Sequence, residues 1–154
     1  MAITRILSNN FKFELGRGNI DFNTGDFRVI LMQGAGVFTF SKASHGQYVN
    51  VKASELPAGN GYNLITKPVT PAPTEEWQQD NGLNKASVTW ENPTWTAAGG
   101  DIGPTDGAIV LQYDSTTPDN SIVVGYIGFG EDIVIADTVS FQLQEMGFDL
   151  FQVS

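Results

Sequence analysis

Apolar and polar residues alternate strictly in Val139-Ser140-Phe141-Gln142-Leu143-Gln144. A period of two places Val139, Phe141 and Leu143 on one face of an extended chain and the polar residues on the other. One covered face and one solvated face are typical of a strand in an antiparallel sheet. The stretch therefore predicts a half-buried antiparallel strand.

Four further stretches are rich in β-branched and aromatic residues and are bounded by turn residues. They are Phe27–Met32, Asn84–Trp90, Ala108–Tyr113 and Ser121–Phe129. The first of them is almost continuously apolar, which predicts a strand covered on both faces at the centre of the core. Turn residues recur about every 8–12 positions, as in sandwiches of antiparallel strands. We expect an all-β fold, an antiparallel β-sandwich or jelly roll of about eight strands, in one domain over residues 1–154.

Only short helical turns are compatible with the sequence. Ser8 can cap a turn or two from Asn9 to Leu15, because Phe11 then lies one turn before Leu15 on the same face. Phe11, Phe13 and Leu15 also alternate with polar residues, so a strand is the competing interpretation. The sequence therefore predicts at most one or two helical turns, and it leaves the state of this segment open.

Prolines mark the middle of the chain. Thr74–Trp77 follows two of them and predicts a single helical turn. Pro68–Pro73 predicts an edge strand or a surface crossover, since proline cannot donate to a sheet ladder. At the other end, residues 1–8 are a candidate N-terminal arm.

Charge is distributed unevenly along the chain. The whole sequence has 17 acidic and eight basic residues, a net charge of −9, and the part after Lys85 contains no Lys or Arg. The summed negative field repels phosphate backbones, and the cations are too scattered to form a basic stripe. We therefore expect no nucleic-acid partner. The basic residues of the first half either face an acidic neighbour or pair with local acids.

Several other classes of site and location are restricted by composition. The sequence has no cysteine, which excludes disulfides, thiolate nucleophiles and Cys-ligated metal sites. Met1–Ser8 lacks the apolar stretch of a secretory signal, and no run approaches the roughly 18 apolar residues of a membrane span. We expect synthesis in the cytosol of the producing cell and no membrane partner.

Candidate catalytic and metal-binding groups are few. His45 is the single histidine, it lies beside Ser41 and Ser44 in a segment with loop composition, and no Gly-x-Ser-x-Gly motif occurs. The acidic segments Asp101–Gly107 and Gly130–Asp132 do not have EF-hand spacing. We expect an exposed loop histidine, no catalytic residue and no metal site, so the chain is not predicted to be an enzyme.

Tryptophans and glycine pairs raise two further possibilities. Trp77, Trp90 and Trp95 could stack on sugars beside paired carboxylates, although a tryptophan in a β-patterned run is more often core. The glycine pairs at residues 16–18 and 34–36 are not followed by the helix that a phosphate-binding turn requires. The sequence therefore predicts no cofactor.

Several short elements follow one another in a fixed order. An acidic-Leu…Gly-x-Gly-Tyr turn spans Glu55–Tyr62, and four further elements come after it: Val88-Thr89-Trp90, Trp95-Thr96-Ala97, Gly107-Ala108-Ile109-Val110 and Tyr126-Ile127-Gly128-Phe129-Gly130. This order, after a short amphipathic segment at Phe11–Leu15 and an apolar strand at Phe27–Met32, resembles a family of small tailed-bacteriophage virion proteins. In that family a glycine pair often follows the tyrosine, whereas Asn63-Leu64-Ile65 follows it here.

The resemblance implies a non-enzymatic structural protein of the virion. Its implied role is that of a decoration (cement) protein on the capsid exterior, with the major capsid protein as its partner. The resemblance further implies synthesis in the bacterial host cytoplasm and a homo-oligomer, with a trimer favoured. Two alternatives stay open, a tail or baseplate component and a glycan-binding module of a fibre. The candidate interface residues are Ile3, Arg5, Leu7, Phe11, Lys12, Arg17, Arg28, Trp77 and Trp95.

Overall fold

The computed structural model describes residues 2–69 and 78–150. These residues form strands that pair only in antiparallel fashion, together with one α-helix and three short 3-10 turns. The predicted all-β, sandwich-like class is confirmed. The expected helical turn at Thr74–Trp77 lies outside the described residues. The elements are β1 (Thr4–Leu7), α1 (Asn9–Gly16), β2 (Phe27–Gln33), β3 (Lys67–Val69), β4 (Gln78–Asp80), β5 (Lys85–Thr89), β6 (Thr94–Thr96), β7 (Ile102–Gln112), β8 (Ile122–Ile135), β9 (Ser140–Gln142) and β10 (Gly147–Leu150).

The strands are divided over three sheets. The largest has the order β1-β8-β7-β2-β3, the second has the order β10-β5-β4, and β6 pairs with β9. The long strands β7 and β8, of 11 and 14 residues, form the middle of the large sheet. The described residues therefore contain ten strands, two more than the approximate count expected from turn spacing.

Strand β2 is covered on both faces, as its apolar sequence predicts. Phe27, Val29 and Leu31 belong to a large cluster of buried side chains, whereas Ile30 and Met32 belong to a smaller one. Alternate residues of a strand point to opposite faces of the sheet. The large sheet is therefore packed on both sides around β2.

Each face of the large sheet has its own cover. On one side, Val88 of β5, Trp95 of β6 and Phe148 of β10 bring the two smaller sheets onto the large cluster. On the other side, Phe38 and Tyr48 come from the segment between β2 and β3 and pack on the smaller cluster. Residues 2–69 and residues 78–150 therefore share the large cluster of buried side chains.

Segment 9–16 forms helix α1, so the competing strand interpretation is wrong there. Ser8 is the N-cap, and its hydroxyl oxygen accepts a hydrogen bond from the backbone N–H of Phe11 at 2.9 Å. The same hydroxyl donates to the carbonyl of Val123 at 2.5 Å, which ties the helix start to β8. As a result, Phe11 is fully buried whereas Phe13 is 58% exposed.

The alternating stretch 139–144 is only partly a strand. β9 spans Ser140–Gln142, and of the three residues expected on the covered face Leu143 is buried, Phe141 is half-buried and Val139 is exposed. Val139 belongs to the turn that leaves β8, where its N–H bonds the carbonyl of Ala136 at 2.9 Å. The strand prediction is therefore confirmed for Ser140–Gln142, but the strand is shorter than the alternating stretch.

Two remaining expectations concern proline and the membrane. Pro68 lies in β3, an edge strand, opposite Arg28 of β2, as expected for a proline; residues 70–73 lie outside the described part of the chain. Among the described helices, none has the length and apolar character needed to cross a membrane.

Candidate functional site

The acidic-Leu…Gly-x-Gly-Tyr turn begins beside β2. Glu55 follows the 3-10 turn Lys52–Ser54 and forms an isolated bridge with Met32 of β2. The next residue is fixed as well, because the N–H of Leu56 bonds the carbonyl of Leu31 at 2.8 Å. This position buries Glu55 to 3% exposure.

Both carboxylate oxygens of Glu55 are hydrogen-bonded. Oε2 accepts from the hydroxyl of Tyr48 at 2.5 Å, and Oε1 accepts from the hydroxyl of Tyr62 and from the N–H of Ile65, each at 2.8 Å. The hydroxyl oxygen of Tyr62 in turn accepts from the N–H of Leu31 at 3.0 Å. We call Tyr48, Glu55 and Tyr62 the buried carboxylate network.

Burial dominates the titration of this network. Desolvation raises the pKa of Glu55 above its ordinary value, although the three hydrogen bonds to the carboxylate oppose the shift. Desolvation also raises the pKa values of Tyr48 and Tyr62, and the neighbouring Glu55 carboxylate adds to both shifts. Through these hydrogen bonds, the buried carboxylate network connects the segment between β2 and β3 to β2 itself.

The glycines of the same turn connect it to the second half of the chain. Gly61 has a φ of +94°, and a Cβ at this position would collide with the carbonyl oxygen of Thr96. Asn60 accepts from the N–H of Ala98 through its backbone carbonyl at 2.9 Å and donates its side-chain amide to the carbonyl of Asp101 at 2.8 Å. The turn therefore joins β2 to the segment that follows β6.

His45 lies in a loop, as predicted, but it is half-buried where an exposed side chain was expected. Its Nδ1 accepts from the backbone N–H of Ser41 at 3.0 Å, and its ring stacks on Phe38 with 5.3 Å between centroids. Burial lowers the pKa of His45. The hydroxyl of Ser44 donates to the hydroxyl of Ser41 at 2.8 Å, so neither serine is arranged as a nucleophile on the imidazole.

The carboxylates of the acidic segments bond the backbone of segments that are distant in the sequence. Oδ1 of Asp101 accepts from the N–H of Asp137, and Oδ1 of Asp137 accepts from the N–H of Gly99, each at 2.9 Å. Within residues 2–69 and 78–150, no three His, Asp or Glu side chains are placed to hold one metal ion. Asp101 and Asp137 therefore link the segment before β7 to the segment after β8.

Two of the open grooves on the described part of the chain have more than one carboxylate in their walls. One, of about 380 Å³, is lined by Asp106, Tyr126, Glu131 and Asp132 among others. Desolvation, followed by the nearby charge of Asp132, raises the pKa of Asp106, and burial raises the pKa of Tyr126 to about 12. The other, of about 370 Å³, lies between β1 and the β5–β10 pair and is lined by Arg5, Leu7, Thr89, Glu145, Phe148 and Asp149 among others.

The two tryptophans within the described residues, Trp90 and Trp95, are not exposed as sugar-stacking rings would be. Trp95 is 3% exposed and packs on Phe141 with 6.3 Å between ring centroids, so its face cannot receive a sugar or a protein partner without local opening. Trp90 is equally buried, 5.3 Å from the ring of Phe27. Trp77 lies outside the described residues. Phe11, another candidate interface residue, is also in the core.

Most of the basic residues pair with acids of the same chain. The pairs are Arg5–Glu145 at 3.7 Å, Arg17–Glu14 at 3.9 Å, Arg28–Asp26 at 2.9 Å, Lys52–Asp119 at 2.7 Å and Lys85–Asp149 at 3.1 Å. Arg28 is additionally stacked over Tyr113, 4.3 Å from the ring centroid. Lys12, Lys42 and Lys67 have no ion pair with another described residue. Arg17 and Arg28 therefore pair with acids that are local in the sequence, as one interpretation predicted, whereas Arg5, Lys52 and Lys85 pair with acids of the second half of the chain.

The candidate arm is largely part of the sheet. Residues 4–7 pair with residues 125–128 of β8, and Leu7 packs on the large cluster. Ile3 and Ile6 remain 44% and 36% exposed. The first residues thus present apolar side chains on an edge strand that is held in place.

Helix α1 has a continuous outward surface. Its exposed positions are Asn9, Lys12, Phe13, Gly16 and Arg17, which we call the α1 face. Sequence reasoning selected Lys12 and Arg17 but missed Phe13. The N-cap signal at Ser8 would have found it, because a helix that buries Phe11 must turn Phe13 away from the core.

Comparison with known proteins yields no match: no protein-family model, no curated protein and no solved structure is similar to this chain.

Proposed function

We propose that this chain is a structural protein of a tailed-bacteriophage particle, a non-enzymatic decoration protein that binds the outside of the capsid and stabilises the contacts between capsomers. The proposal starts from the order of elements in the sequence. In the structure, those elements are the Glu55–Tyr62 turn and parts of β5, β6, β7 and β8. The residues that carry the resemblance are therefore mostly ones that build the core.

The observation that carries a contact role is the surface of the first seventeen residues. The apolar side chains of Ile3, Ile6 and Phe13 are exposed within this segment, which also contains the basic residues Arg5, Lys12 and Arg17. Exposed apolar side chains that are flanked by charged groups are typical of protein contact surfaces. The rest of the chain is strongly acidic, which favours solubility on a crowded particle.

Weak individual contacts are enough for such a role. A standard protein interface buries about 800 Å² on each partner. If three protomers are linked, as we also propose, the second and third contacts form at high effective concentration and need no greater intrinsic strength. The domain then strengthens a shell by adding many modest contacts across its seams.

The test is addition of the purified protein to shells assembled without it. We expect the protein to bind and to raise the temperature and lower the salt concentration at which the shells rupture, measured by calorimetry and light scattering. Sedimentation of the free protein measures its oligomeric state. Shells that bind the protein but are equally fragile with and without it would contradict the stabilising role.

A further inference from the structure

The α1 face combines an aromatic side chain with cations on one side of a helix. Asn9, Lys12, Phe13, Gly16 and Arg17 follow the spacing i, i+3, i+4, i+7 and i+8, which defines a single stripe. Phe13 is 58% exposed, and the guanidinium carbon of Arg17 lies 5.2 Å from the centroid of its ring. A surface phenyl ring held in this way is available to a partner.

The helix presents this stripe rigidly. Phe11 packs in the large cluster and fixes the buried face of α1. At the start of the helix, the N–H of Ser8 donates to the carbonyl of Val124 and its hydroxyl donates to the carbonyl of Val123. In the first turn of the helix, the side-chain amide of Asn10 donates to the carbonyl of Gly46 at 2.9 Å. A contact made through the α1 face therefore costs little ordering of the backbone.

The charge around the stripe is positive, and Arg17 is paired with Glu14 at 3.9 Å. Lys12 has no ion pair with another described residue, and neither has exposed Lys42, whose carbonyl accepts from the N–H of Asn9 at 2.8 Å. Glu14, the one carboxylate of α1, is half-buried and accepts from the side chain of Asn19 at 2.5 Å. Covering the stripe leaves these cations to be paired by carboxylates of whatever covers it.

We infer that the α1 face docks on a protein surface in which carboxylates surround an apolar recess, and, resting on the function proposed above, that this surface belongs to the outer side of the assembled capsid protein. Phe13 fills the recess, Lys12 pairs with a carboxylate of its rim, and Arg17 stays beside Phe13 and Glu14. Nucleic acid and anionic membranes fit less well, because the chain as a whole has a net charge of −9 and is repelled by a polyanion.

The experiment compares matched substitutions in full-length protein on empty shells assembled without it. Phe13→Ser is matched by Leu83→Ser, since Leu83 is 57% exposed on the turn between β4 and β5. Lys12→Glu is matched by Lys67→Glu, since Lys67 also lacks an ion pair with a described residue. We expect at least tenfold weaker binding for Phe13→Ser and for Lys12→Glu, less than twofold change for both controls, and unchanged thermal unfolding of the Phe13 and Leu83 variants.

Each remaining outcome has a distinct meaning. If the wild type binds shells and the Phe13 and Lys12 variants bind as well as their controls, the α1 face is not the docking surface, although the proposed function stands. If the wild type does not bind shells, the proposed function fails and the inference fails with it. Binding to phosphatidylglycerol vesicles or to duplex DNA that is lost on Phe13→Ser would assign the face to a different class of partner and overturn the inference.

Discussion

Tyr62 donates its hydroxyl hydrogen to Oε1 of Glu55 across 2.8 Å, seven residues away in the sequence and inside the core. The same hydroxyl accepts from the N–H of Leu31, so one oxygen links the loop carboxylate to β2. The acidic residue and the tyrosine that begin and end the Glu55–Tyr62 turn are therefore direct partners. They stabilise the loop that covers the smaller cluster.

Removing the hydroxyl of Tyr62 is expected to destabilise the domain. Tyr62→Phe deletes a hydrogen bond to a buried carboxylate and leaves the N–H of Leu31 without its acceptor, at a cost of roughly 1.5–3 kcal/mol. Urea unfolding followed by tryptophan fluorescence measures the change. Tyr113→Phe is the control, because that ring stacks with Arg28 and should change the free energy of unfolding by less than about 0.5 kcal/mol. Equal effects of the two substitutions would contradict the role of the network.

Glu55 is expected to make stability depend on pH in an identifiable direction. Its folded-state pKa is raised above 4.5, so between 4.5 and the raised value the folded state binds more protons than the unfolded state. The free energy of unfolding of the wild type should therefore fall relative to Glu55→Gln as the pH rises through that interval, and the difference should then level off. Urea titrations of both proteins over this range measure the difference.

Asp21 supplies a control of opposite sign. The hydroxyl and N–H of Thr24 and the N–H of Asn23 hold the pKa of Asp21 below 3.8 in the folded state. The wild type should accordingly gain stability relative to Asp21→Asn as the pH rises toward 3.8. The Glu55 account fails if both comparisons change in the same direction.

Gly61 is expected to tolerate no side chain. Gly61→Ala places a Cβ against the carbonyl oxygen of Thr96 at a φ of +94°, whereas Gly99→Ala has a φ of +85° and open space around its Cβ. Strain alone should cost Gly99→Ala about 1–2 kcal/mol. The collision should cost Gly61→Ala a further 1–3 kcal/mol or so. Chemical denaturation of the pair measures the difference, and equal losses would show that the turn does not dock where described.

Phe11 and Phe13 test the helix directly. In α1 they face opposite ways, so Phe11→Ala should cost about 3–5 kcal/mol and Phe13→Ala no more than about 0.5 kcal/mol. In a strand both residues would lie on one face, and the two substitutions would have similar effects. Thermal or urea unfolding of the two variants distinguishes these cases.

The class of the fold could be predicted from the sequence because the sequence of β2 is almost continuously apolar. An uninterrupted apolar run at Phe27–Met32 has few alternatives to a strand buried on both faces, and the structure confirms it. The limits of β9 were predicted less well, since alternation at Val139 and Leu143 continues beyond the residues that pair with β6. Pairing depends on the partner strand, which a local pattern does not contain.

The candidate site was only partly predictable for a related reason. Lys12 and Arg17 were identified by charge, but the burial of Trp95 and the pairing of Arg5 with Glu145 depend on how distant segments pack. The Glu55–Tyr62 pair was present as a motif, yet the third partner, Tyr48, comes from an adjacent 3-10 turn that no sequence pattern predicted. Local signals thus predicted elements better than they predicted contacts between them.

The most direct test of the central claim is the copy number and position of this polypeptide in intact particles, obtained by quantitative mass spectrometry and cryo-electron microscopy. We predict many copies, in fixed ratio to the capsid protein, on the outer surface of the shell. A few copies confined to the tail or baseplate, or no copies in the particle, would contradict the account.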